Sequence, residues 1–150
     1  MLVSVASADT VIELPKTKAR LDLPDSWKSA PAPGLVAVYK DDNGAVLAVT
    51  RADVPNPDAW KSETKQAYAD KVERGLRKGI AGYKRSSQRL STAGGVPALD
   101  VEATRTGGAT VIIRVLLFRT YALSLAIEVP KGGDIAGART IARAFAPPSS

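Results

Sequence analysis

The stretch LDVEATRTGGATVIIRVLLFRTYALSLAIEV, residues 99–129, decides the fold. Leu99, Val101 and Ala103 alternate with Asp100, Glu102 and Thr104, the period-two pattern of a half-buried strand. Gly107-Gly108 supplies a turn, Val111–Phe118 is nearly all apolar, and Arg119-Thr120 parts it from Tyr121–Val129. A two-residue turn at Gly107-Gly108 sets Val101 opposite Arg114 and Leu99 opposite Leu116. A turn at Arg119-Thr120 sets Leu116 opposite Leu123 and Ile112 opposite Ile127. Together these predict a three-stranded antiparallel meander with Leu99, Val101, Ala103, Ile112, Leu116, Phe118, Leu123, Leu125 and Ile127 on one face. Arg-Thr at the second turn is poor chemistry for a primed turn.

The other face of the middle strand, Val111, Ile113, Val115 and Leu117, also needs apolar cover. A last helix can supply it. Asp134 is its N-cap, Ile135, Ala138, Ile141, Ala142 and Phe145 form its stripe, and Pro147-Pro148 stops it. Upstream, Asn56-Pro57-Asp58 opens a longer helix. Its apolar residues step by four, from Trp60 and Thr64 through Tyr68, Val72 and Leu76 to Ile80. Glu73 and Arg77 fall on its polar faces as an i,i+4 pair. Gly79 and Gly82 end it.

Before that helix, Val11–Leu14 and Ala19–Leu23 read as short strands around Pro15-Lys16-Thr17. Leu35–Lys40 and Ala45–Thr50 flank Asp41-Asp42-Asn43-Gly44, a hairpin signal because Asn and Gly tolerate positive φ. Ser29–Gly34 reads as a Pro-rich loop. Tyr83–Ser91 reads as a polar edge strand whose Lys84, Arg85 and Arg89 discourage pairing between copies. The fold class is therefore α+β: an antiparallel sheet sandwiched between a long central helix and a C-terminal helix.

The length, 150 residues, fits one domain. There is no cysteine and no histidine. Thiol chemistry is excluded, and the usual neutral-pH base and transition-metal ligand is missing. The formal charge is +6. A basic chain suits anionic partners, but the aromatics fall in apolar patterns rather than among the cations, which argues against nucleic acid. No run approaches the ~20 apolar residues of a membrane span. Ala6-Ser7-Ala8 has the shape of a signal-peptidase site, with Asp9 as the new N-terminus. Residues 1–8 thus read as the remnant of a signal peptide, residues 9–150 as one domain, and the compartment as periplasmic or secreted.

The order of elements, Leu23-Pro24-Asp25-Ser26-Trp27 before the first hairpin, Gly95-Val96-Pro97-Ala98, Gly107-Gly108, Arg114, Tyr121-Ala122-Leu123 and Pro130 together resemble the PsbP-like superfamily. The exported bacterial, DcrB-type branch looks nearest. The resemblance implies an α-β-α sandwich with binding or accessory roles, and it brings no catalytic motif.

Other motifs have plainer readings. Ser62-Glu63-Thr64-Lys65 matches S-x-x-K, but its companion motifs are missing. Asp41-Asp42-Asn43-Gly44 lacks calcium-loop spacing. Gly94-Gly95 and Gly107-Gly108 lack the residues of a phosphate loop and read as turns. Arg114 is the most informative single residue, a cation at the centre of an apolar strand. It marks either a ligand pocket between the sheet and the long helix or a structural pair with a carboxylate or carbonyls. Trp27, beside the Pro-rich loop, is a binding aromatic or a packing residue. The expectation is a non-enzymatic exported module without cofactor or metal, acting on a protein partner. The alternatives are a small ligand or lipid held between sheet and helix, or a cytosolic nucleic-acid binder.

Overall fold

The computed structural model describes residues 10–14, 19–53, 62–118 and 120–147. Strands β1 (Thr10–Glu13) and β2 (Arg20–Leu23) pair with each other. Seven more strands form one antiparallel sheet: β3 (Lys28–Ser29), β4 (Ala37–Lys40), β5 (Val46–Asp53), β6 (Lys84–Ala93), β7 (Val96–Thr104), β8 (Thr110–Leu117) and β9 (Tyr121–Val129). Their spatial order is β3-β4-β5-β9-β8-β7-β6. Helices α1 (Ser62–Gly79) and α2 (Ile135–Ala144) cover its two faces. No helix among the described residues is long and apolar enough to cross a membrane.

The expected α-β-α sandwich is observed, with the helices exchanged relative to the sequence reading. On one face Ile112, Leu116, Leu123, Leu125 and Ile127 pack with Leu21, Leu23, Ile141 and Phe145 of β2 and α2. On the other, Leu99, Val101, Val111, Ile113 and Val115 pack with Ala69, Val72 and Leu76 of α1. The central strand β8 is buried on both sides, so its sequence is apolar without alternation.

One register differs as well. The β8–β9 pairing is as expected, with Leu116 opposite Leu123 and Ile112 opposite Ile127. Phe118 and Tyr121 stack across that turn, ring centroids 4.7 Å apart, which supplies the stability its Arg-Thr sequence lacks. The β7–β8 pairing differs by one residue: Arg114 faces Asp100 rather than Val101, and Leu99 faces Val115 rather than Leu116. Gly107-Gly108 is not a two-residue turn. Residues 105–109 form a longer loop, in which the Gly108 amide donates to the Arg105 carbonyl and the Arg105 amide to the Ala109 carbonyl. A one-residue slip inverts every side chain, so Leu99, Val101 and Ala103 turn to the α1 side. The tight turn is Gly94-Gly95, which joins β6 to β7 with both φ angles positive, at 58° and 81°.

Other expectations hold. Asp41 closes the β4–β5 loop by accepting from the Asn43 and Ala45 amides. Asp134 caps α2 by accepting from the Gly137 amide at 2.8 Å. The expected opening of the long helix at Asn56-Pro57-Asp58, and Trp60, lie outside the described residues. So do Ala8, Asp9 and the side chains of Ser62 and Lys65. The loop over Ser29–Gly34 is preceded by a short strand, β3, that the sequence reading did not include.

Candidate functional site

Arg114 stands in the middle of β8, on the face toward α2, and is buried. Its Nε and one terminal nitrogen donate to the two oxygens of Asp100 on β7, at 2.7 and 3.1 Å. The other terminal nitrogen donates to the Arg143 and Phe145 carbonyls, at 3.0 and 3.3 Å. A guanidinium has five N–H donors, and these four bonds leave it one. The carbonyls it reaches belong to the end of α2, where backbone acceptors lack helical partners and the dipole favours a cation. Arg114 therefore fastens helix to sheet. Of its two sequence readings, the structural one, a pair with a carboxylate and carbonyls, matches these contacts.

A cleft of about 420 Å³ does open beside it, between β6, β7 and α2, not between the sheet and the long helix. Its carboxylates are committed. Asp100 serves Arg114, and Glu102 takes a two-pronged contact from Arg139 at 2.8 and 3.2 Å. That contact raises the Arg139 pKa further above its already high value. Two more arginines line the cleft, Arg89 on β6 and Arg143 on α2, both exposed. Neither guanidinium has a carboxylate or hydrogen-bond acceptor among the described residues. Ser87 and Ser91 lie on the same side, and the Ser91 hydroxyl donates to Asp100 at 3.5 Å. Its floor is neutralised and its rim is not.

Trp27 is elsewhere. It is half-buried against the core and lines two hollows, one with Ile12 and Leu23, the other with Asp134 and Ala138 at the N-terminal end of α2. Its amide closes a turn with the Pro24 carbonyl. The structure does not bring Trp27 and Arg114 into one site.

Across the sheet lies a second buried charge. Glu73 is buried, not on an exposed polar face as its spacing implied. The Tyr83 hydroxyl donates to it at 2.8 Å, and Arg77 and Arg85 approach at 3.4 and 4.0 Å. Burial, and then the bond to Glu73, hold the Tyr83 phenol protonated well above the usual range. No loop signature accompanies a tyrosine ten residues from its acceptor, so this contact leaves no local trace in the sequence.

A solution structure of cyanobacterial PsbP from Synechocystis sp. PCC 6803 superposes with a TM-score of 0.68, over 99% of this chain and 98% of that one, at 14% identity. The chain has a PsbP-like fold. A crystal structure from Bacteroides thetaiotaomicron VPI-5482 superposes with a TM-score of 0.53 at 12% identity, over 87% of this chain and 45% of that one. This chain thus corresponds to less than half of that second protein. No protein-family model matches the chain, and no curated sequence does. The PsbP-like likeness concerns the sandwich. The charges that set the cleft apart are read from this chain alone.

Proposed function

We propose that this chain is a non-enzymatic, exported module that holds an acidic protein partner at the cell envelope, using the cleft between β6 and α2. One observation carries the reading: the cleft's carboxylates are spent on Arg114 and Arg139, while Arg89 and Arg143 remain exposed. Uncompensated cations around a concavity favour an anionic partner and speed its encounter. The Ala6-Ser7-Ala8 pattern, with cleavage before Asp9, supports export, and the exported bacterial branch of PsbP-like proteins is where such a module would belong. A small anion is the second reading, favoured by the same two arginines with Ser87 beside them in the cleft.

The test places a photo-crosslinking residue at Ser91 in the chain expressed from its native locus. A discrete protein adduct in the envelope fraction, lost on Arg89→Glu with Arg143→Glu, is expected. A chain that keeps Met1 and stays in the cytosol would overturn the export reading. Envelope location without an adduct would favour the small anion.

A further inference from the structure

The cleft opens onto the long edge of the sheet. β6 runs for ten residues, is mostly exposed, and pairs on one side only, with β7. Among the described residues no strand lies against its other side. The opposite edge, β3, has only two residues. A shift in register between Arg85 and Ser87 interrupts β6, leaving Ser87–Ala93 as a continuous run against β7. An edge of this kind is a template for another strand.

The side chains of that run say which strand. Arg89 lies opposite Asp100, hence on the α2 side with the cleft, and Lys84 lies on the same side. Leu90 lies opposite Leu99, hence on the α1 side, and is 38% exposed. β6 carries Lys84, Arg85 and Arg89 and no acidic residue. Two copies of this edge would repel each other, whereas an acidic strand would be drawn to it.

We infer that β6 accepts an extended segment of the partner as an additional strand, and that this segment alternates acidic and apolar residues. Its acidic side chains meet Arg89 and Arg143 over the cleft, and its apolar ones cover Leu90 on the reverse side. Backbone hydrogen bonds along Ser87–Ala93 supply affinity, and the alternation supplies selectivity. This inference rests on the reading of the cleft as a site for a protein.

The probe is an eight-residue peptide alternating Glu and Val, titrated against the full chain by calorimetry at low and high salt. Two further peptides carry N-methyl groups on alternate amides, one at the Glu positions and one at the Val positions. An added strand bonds along one of its edges only, so one N-methyl peptide is expected to bind like the parent and the other to lose about tenfold or more in affinity. Arg89→Glu with Arg143→Glu is expected to weaken the parent by a similar factor, and salt to weaken it further. Equal binding by both N-methyl peptides would overturn strand addition while leaving the cationic cleft as a binding site. No binding by the parent peptide at low salt would overturn both. The peptide comparison uses the unaltered chain, so it does not depend on how the variants fold.

Discussion

Among the described residues, the two faces of the sheet each bury one charge, and they treat it differently. On the α2 face Arg114 is met by both Asp100 oxygens and two carbonyls of the helix end. On the α1 face Glu73 has one short bond, from Tyr83, and two looser arginines that are themselves largely exposed. Saturating one cation consumes a carboxylate, and Arg139 consumes the next. The arginines further out are left over. A tightly built floor thus leaves an unpaired rim on the α2 face, while on the α1 face the buried Glu73 is shared among several donors.

The largest effect should come from Arg114→Met. It strands Asp100 and removes donors from the end of α2, and should cost about 3 kcal/mol in urea unfolding, the low end for a broken buried pair because Asp100 keeps access to water. If the loss is under about 0.5 kcal/mol, the range of neutral surface changes, the guanidinium does not hold the helix. Glu73→Ala should cost less, about 2 kcal/mol, because its looser arginines turn to solvent and the main loss is the Tyr83 bond. A cost above that of Arg114→Met would reverse the comparison between the faces. Asp134→Ala should cost about 1 kcal/mol through the lost N-cap, seen as a lower unfolding midpoint with unchanged urea dependence.

The smallest effect is one of pH. Tyr83 and Tyr68 both have raised pKa values, mainly from burial. In the unfolded chain each titrates near 10.0. Below that pH both phenols are protonated in both states and add no pH dependence to stability. Above it the unfolded chain loses protons that the folded chain keeps, so stability falls as pH rises. Tyr83→Phe should make that alkaline decline shallower. An unchanged slope would mean the phenol is free to ionise in the folded state.

Much of this architecture could be read from period and punctuation. Asp134, the Asn43-Gly44 turn and the apolar run of β8 each carry their structural reason within a few residues. So did the polar edge strand around Arg89. What misled was reading Gly107-Gly108, like Gly94-Gly95, as a tight turn. Both permit a tight turn, and only the burial of each face and the Asp100–Arg114 pair show that Gly107-Gly108 sits in a longer loop. That single register decided on which face Leu99, Val101 and Ala103 lie. The cleft was legible only in part. Arg114 stood out as a cation in an apolar strand, but the spare rim did not, because Arg89 and Arg143 become notable only once Asp100 and Glu102 are known to be engaged. Glu73 was misplaced because helical spacing cannot show that Tyr83 folds back onto it.

The central claim is that the rim arginines take no part in holding the fold. Urea unfolding of the Arg89→Ala, Arg143→Ala double variant tests it most directly. The account predicts stability within about 0.5 kcal/mol of the parent chain, as for surface residues without partners. A loss approaching that of Arg114→Met would contradict it, and would make the cleft part of the scaffold rather than a place for a partner.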